Sequence, residues 1–159
     1  MKLMLTSDGF TNKKLFNEFV KLVDKPIKDI KIVIVPTAAK YRGDSYRKYS
    51  VRNLLIEFGI LKKNTKILEI DKPVSYSDFE DFDSILVGGG NNYYLLDHIR
   101  KSGFDKVLTR FLEKGVYVGI SAGSMVVGPN IEISKMGDKN MINLKDLTGL
   151  NYVDFEVAP

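Results

Sequence analysis

Ser121, in the run Gly119-Ile120-Ser121-Ala122-Gly123, stands in the setting of this 159-residue chain that points most directly to chemistry. G-x-S-x-G is the pattern of a nucleophile elbow: a strand, a sharp turn at the serine, then a helix. Its glycines are needed because the strained turn leaves no room for side chains. The flanks agree, since "GVYVGIS" reads as a strand and "AGSMVVG" as the opening of a short helix. A helix start leaves backbone N–H groups unpaired, so Ala122 N–H is a candidate donor to an oxyanion. The second donor must come from a neighbouring strand end, and "VGGGNN" supplies backbone N–H groups at Gly89 or Gly90. Each turn also has a purely structural reading, with Asn91 and Ser121 as helix N-caps. Two such turns at adjacent strand ends favour a nucleophile with a paired oxyanion site.

The elements that must position these groups follow from hydrophobic periodicity. Five short apolar runs are expected to be strands: "KLMLTS" at Lys2–Ser7, "KIVIVPTA" at Lys31–Ala38, "KILEI" at Lys66–Ile70, "DSILVGGG" at Asp83–Gly90 and "VYVGIS" at Val116–Ser121. Between them lie helical patterns. "TNKKLFNEFVKLV" sets Leu15, Phe16, Phe19, Val20 and Val23 on one face, and "YRKYSVRNLLIEFG" closes on Gly59 as a C-cap. "NNYYLLDHIRKSG" and "FDKVLTRFLEKG" also end on glycine. Alternating strands and helices predict a mainly parallel sheet covered on both faces, a three-layer α/β domain. After Gly128 the pattern weakens into a short strand and loops, and "YVDFEVAP" alternates like one more strand. Ligands of open α/β sheets gather beyond the carboxyl ends of the strands. The expected pocket wall is therefore Ser7 and Asp8, Pro36 to Ala39, Gly88 to Asn92 and Ser121 to Ser124, with Thr37, Asn91 and Gly123 as candidate substrate contacts.

Composition narrows the chemistry. The chain has no cysteine, which excludes disulfides, thiolate zinc sites and cysteine nucleophiles, and its single histidine, His98, excludes a multi-histidine metal site within one chain. No metal or other cofactor is expected. No apolar run is long enough to span a bilayer, and "MKLMLTSDGF" turns polar too early for a secretion signal, so a single cytoplasmic domain is expected without a membrane partner. The net charge of +4 gathers partly in "KYRGDSYRKYSVRN". There Tyr46, Tyr49, Leu54 and Leu55 read as a buried stripe, with Arg47, Lys48 and Arg52 solvated, so no nucleic-acid partner is expected. The expected partner is a small peptide, and a homodimer is the candidate assembly.

The chain resembles the peptidase E family of serine peptidases, the aspartyl dipeptidases, which share a flavodoxin-like fold with class I glutamine amidotransferases. The residues that carry the resemblance are "VIVPTAA", "ILVGGGNNYYLL", "YVGISAGSMVV" and "DLTGLNYVDFEVAP". They cover nearly the whole chain in the expected order. The resemblance implies Ser121 as nucleophile, the glycine turn with Ala122 as oxyanion hole, and hydrolysis of small peptides after an N-terminal aspartate through an acyl-enzyme that water releases. A cyanophycinase-like peptidase is a nearby alternative with the same elbow. Lys40 and Arg42, near a strand end, are candidates to attract a substrate carboxylate.

A serine nucleophile needs a proton acceptor within about 3 Å. His98 lies about seven residues down a helix that starts near the oxyanion turn, or about 10 Å from it at 1.5 Å per residue, and is expected to be structural. No lysine has a spacing that singles it out as a base. In relatives of the resembled family a strand like "VDFEVAP" is followed at once by the catalytic histidine, whereas this chain stops at Pro159. The expectation is therefore a domain lacking the C-terminal part of the family domain, with apolar surface left uncovered beside its last strand. Three alternatives stay open: a piece of a longer enzyme, a catalytically silent binding or scaffold protein, or an unconventional base.

Overall fold

The computed structural model describes the backbone of residues 1–42 and 44–158 and the side chains of residues 1–40 and 51–158. Five strands, β1 (Lys2–Thr6), β2 (Ile32–Val35), β3 (Thr65–Ile67), β4 (Ser84–Val87) and β5 (Val116–Ile120), form one sheet in the order β1-β5-β4-β2-β3. Every pairing is parallel. The helices are α1 (Lys13–Val23), α2 (Asp44–Glu57), α3 (Asn92–Ser102), α4 (Phe104–Phe111) and α5 (Ala122–Met125). Among the described residues, no helix is long and apolar enough to cross a membrane.

The strands of the sheet interior are continuous apolar runs because each residue in turn faces a helical layer. Val33, Val35, Ile85, Val87 and Tyr117 pack into one core with Leu95, Ile99, Leu108 and Phe111 of α3 and α4. Ile32, Ile34, Leu86, Val116 and Val118 pack into the other with Phe16 and Phe19 of α1 and Leu55 of α2. The domain is thus a three-layer α/β sandwich with the sheet in the middle.

Local chemistry closes the helices. Asn12 caps α1 by accepting from Leu15 N, and Asp24 ends it in the left-handed region at φ 58°. Gly59 follows α2 with φ +100°, and Gly103 caps α3 with φ 74°. Phe16 and Phe19 are the buried members of the expected apolar face of α1, and Phe16 stacks on Phe58 at 4.6 Å between ring centroids. In α2, Leu55 is fully buried and Leu54 half-buried, while Arg52 is half-buried rather than solvated. Tyr46, Arg47, Lys48 and Tyr49 lie outside the described side chains.

Two expectations are corrected. "YVDFEVAP" is not a strand: the chain bends through Tyr152–Phe155, and Phe155 is exposed. The preceding Asn151 has φ 56°, and the N–H groups of Leu150, Asn151, Tyr152 and Val153 bond Val126 O, Gly128 O and Val127 O. This segment therefore satisfies the carbonyls left over at the end of α5 instead of joining a sheet edge. Between Gly128 and that segment the chain forms a 3₁₀ turn at Glu132–Met136 and a lone antiparallel bridge between Asn130 and Thr148, with no strand.

Candidate active site

Ser121 sits between β5 and α5 with φ 48° and ψ −108°, a conformation that non-glycine residues rarely adopt and that costs energy to hold. The surrounding backbone imposes it. Ser121 N donates to Thr6 O at 2.9 Å, tying the turn to β1, while Ser124 N and Met125 N both bond Ser121 O to start α5. The two glycines of the motif are where helix and sheet come too close for a side chain. A Cβ on Gly119 would lie 2.7 Å from Gly123 O and Ser124 N, and one on Gly123 would lie 2.1 Å from Val87 O. Ser124, fully buried, donates from Oγ to Thr6 O and accepts from Thr6 N, at 2.8 and 3.0 Å. Tyr117 OH, from β5, donates to Gly123 O at 2.6 Å. The elbow is thus clamped from β1, β4 and β5.

Of the expected donors, Gly89 is adjacent to the serine. A Cβ on Gly89 would meet Ser121 Cβ at 3.2 Å and Oγ at 3.8 Å, so the Gly89 backbone stands directly beside the serine side chain. Gly90, at φ +146°, passes so close to β2's carboxyl end that a Cβ would lie 2.0 Å from Ala38 O. Gly88 N and Asn91 N are taken by Val35 O and Ala38 O. The N–H groups of Gly89, Gly90 and Ala122 have no acceptor among the described residues.

Two cavities adjoin that hydroxyl, and Gly90 and Ser121 line both. The first, about 310 Å³, lies at the crevice between the carboxyl ends of β2 and β4, where the strand order reverses. Its wall is largely apolar, with Phe10, Ile34, Val51, Leu54 and Ile120, and carries the carboxylate of Asp8. Phe10 is held by ring contacts with Phe16 and Phe19 of α1. The second, about 270 Å³, is lined by Asn92, Ser134 and Asp138 as well as Met125 and Ile133.

The other expected contacts sit in structural bonds. Thr37 is buried, donating from Oγ1 to Glu69 and accepting from Ile70 N, and it lines neither cavity; Pro36 and Ala39 of the same turn line the first. Asn91 caps α3 by accepting from Tyr94 N, and its Nδ2 donates to Lys139 O. Gly123 is packed against β4. Lys40 sets its ammonium 4.8 Å above the Tyr94 ring and is on neither wall, and the Arg42 side chain lies outside the described residues. His98 packs against Tyr94 with the rings tilted by 32°, its Nδ1 2.9 Å from Tyr94 O, and lines neither cavity. Among the described residues, the charged side chains on the two walls are Asp8 and Asp138. Ser134 and Asp138 escaped the sequence reading because they come from loops without periodicity.

Comparison with known proteins supports the fold and gives the family. The family model described as peptidase family S51 matches residues 3–159. An uncharacterized peptidase of Listeria monocytogenes is 29% identical over 165 residues, covering 99% of this chain and 76% of the relative. One of Pasteurella multocida is 29% identical over 167 residues, covering 100% and 77%. A peptidase E of a Shewanella species is 36% identical over 81 residues, 50% of this chain and 34% of that protein. A crystal structure of a peptidase E candidate from Listeria monocytogenes superposes with a TM-score of 0.82 at 29% identity, over 98% of this chain and 77% of that one.

Proposed function

Because the chain belongs to peptidase family S51, we propose that it is a serine-type exopeptidase scaffold in which Ser121 is the nucleophile. The observation that carries this reading is the strained φ of 48° at Ser121, held beside Gly89 with both motif glycines sterically required. In this reading the Ser121 hydroxyl gives its proton to water, no base standing beside it among the described residues, as Oγ attacks the carbonyl carbon of the first peptide bond. Its oxygen becomes negative where the N–H groups of Gly89 or Gly90 and of Ala122 converge, and such donors act more strongly in a site that excludes water. The amine leaves with a proton taken from water, and a further water hydrolyses the ester on Ser121, releasing the carboxylic acid and restoring the hydroxyl.

The substrate is a small peptide, with an N-terminal aspartate as the narrower expectation from family resemblance. The described walls offer apolar contact and carboxylates, so the preference is tested by setting Asp-Leu against Ala-Leu. Hydrolysis of either by the purified chain, lost on Ser121→Ala, is the expected result. Hydrolysis that survives Ser121→Ala would overturn the assignment.

One observation favours a second reading. Ser121 Oγ has no hydrogen-bonded acceptor among the described residues, as in a pocket that binds peptides without cleaving them. Binding of either dipeptide without turnover selects that reading.

A further inference from the structure

The first cavity is an opening in the core on the α1 and α2 side of the sheet. Phe10 and Ile34, each 1% exposed, line it and belong to that core. Val51, Leu54 and Ile120 are half-buried, line it as well and pack against the same core. The turn after β1 holds the wall in shape. Gly9 N donates to Thr6 Oγ1 at 3.0 Å, and Thr6 Oγ1 donates to Gly119 O at 2.9 Å, which ties this turn to the strand that leads into Ser121. Gly9 adopts φ +70°, and a Cβ there would lie 2.9 Å from Ile120 Cδ1, so the turn packs closely on Ile120. A side chain entering the cavity would be packed as a further member of that core, in a space of about 310 Å³.

The occupant's chemistry follows from the wall. Among the described residues its polar side chains are those of Ser7, Asp8 and Ser121, and none of them is a cation. An acidic side chain placed there would lose water, gain no counter-ion and face the like charge of Asp8, and each of these disfavours a carboxylate. An apolar side chain exchanges water for carbon contacts and gains in proportion to the area it buries. The occupant's place in the peptide follows from Ser121 and Gly89, which line the same cavity. When the first carbonyl carbon of a peptide meets Ser121, the first residue's side chain branches one bond nearer to that carbon than the second residue's does. A cavity that opens at the serine is therefore reached first by the side chain of the first residue.

We propose that the cavity bounded by Phe10, Ile34, Val51, Leu54 and Ile120 takes the side chain of a peptide's first residue and selects an uncharged apolar one, with Asp8 setting acidic side chains at a disadvantage. This departs from the N-terminal aspartate that the family resemblance implies, and it rests on the reading of Ser121 as the group that meets the first carbonyl.

The test uses the Ser121→Ala chain, so that binding is read without turnover, and three dipeptides whose first side chains share one branched shape: Leu-Ala, Asn-Ala and Asp-Ala, measured by calorimetry. Leu-Ala is expected to bind about ten-fold or more tightly than Asn-Ala, and Asn-Ala more tightly than Asp-Ala. Adding Asp8→Asn should bring Asp-Ala to the affinity of Asn-Ala while leaving Leu-Ala unchanged. Adding Leu54→Asn should weaken Leu-Ala several-fold. Asp8 is exposed, so the variant there keeps the proposal testable even if the Leu54 variant folds poorly. Binding of Asp-Ala as tight as that of Leu-Ala or tighter, or failure of all three to bind, overturns the proposal. A preference confined to the second residue, Ala-Leu over Ala-Asp with Leu-Ala and Asp-Ala equal, overturns it too. The two readings fail separately. Ser121-dependent hydrolysis of Leu-Ala and Asp-Ala at equal rates would keep the hydrolase and remove the apolar selection, whereas Leu-selective binding without turnover by the unmutated chain would do the reverse.

Discussion

At the scale of residues, the site is a set of close approaches that only certain side chains permit. Gly123→Ala would put a methyl group 2.1 Å from Val87 O, a backbone atom in a packed sheet that cannot give way easily. The expected cost is about 1–3 kcal/mol or more, read as a lower urea midpoint. Loss of hydrolysis beyond the loss of folded protein would show that the elbow's shape has changed too. An alanine at 123 with unchanged stability would mean that α5 does not rest on β4 as described. Ser124 works differently: its hydroxyl pairs with both backbone groups of Thr6. Ser124→Ala takes from Thr6 N the acceptor it has in Ser124 Oγ, at about 1–3 kcal/mol if it is left unsatisfied, while Thr6 O keeps its bond from Ser121 N. A stability loss is expected there as well, checked by the same denaturation curve.

At the scale of elements, α1 shows how burial rather than helix propensity holds a segment in place. Phe16 and Phe19 are 2% and 0% exposed, and both contact Phe10 on the wall of the first cavity. Phe16→Ala should cost about 3–5 kcal/mol and also weaken peptide binding through Phe10, an effect that a remote core truncation of equal cost would lack. The five strands were legible in the sequence to within a few residues, because a buried parallel strand must be an unbroken apolar run. The elbow was legible because its glycines answer to sterics. "YVDFEVAP" misled because alternation says nothing about whether an edge is available, and its neighbour Asn151 turns the chain to cap α5 instead. Thr37 and Asn91 were correctly placed at strand ends, yet their side chains were claimed by Glu69 and by Tyr94 N. Strand-end position indicates proximity to the pocket; side-chain direction depends on partners distant in sequence. Asp138 and Ser134, which no period reveals, reach the second cavity for the same reason.

At the scale of the whole molecule, the strand order brings β1, β5, β4 and β2 side by side, so that four loops meet at one end of the sheet. The same packing carries a signature in pH. Tyr117 is fully buried, and burial pushes its phenol well above the usual tyrosine range; the half-buried Tyr152 shifts the same way, chiefly through desolvation. Above about pH 10 the unfolded chain sheds phenolic protons that the folded chain retains, so stability falls as pH rises, by about 1.4 kcal/mol per pH unit for one fully buried group. Below pH 10 both states keep the proton and the term is constant. Tyr117→Phe should lower stability at pH 7 through loss of the bond to Gly123 O, and flatten the decline between pH 10 and 11. An unchanged alkaline slope would show that the Tyr117 hydroxyl titrates normally.

The central claim is that Ser121 is a nucleophile framed by backbone donors. It is met most directly by treating the purified chain with an alkyl fluorophosphonate, which phosphonylates a serine oxygen with loss of fluoride, and then measuring intact mass and mapping peptides. The account predicts one adduct per chain, on the peptide that contains Ser121 and absent in Ser121→Ala. An unmodified chain, or an adduct elsewhere that persists in the Ser121→Ala protein, would contradict it.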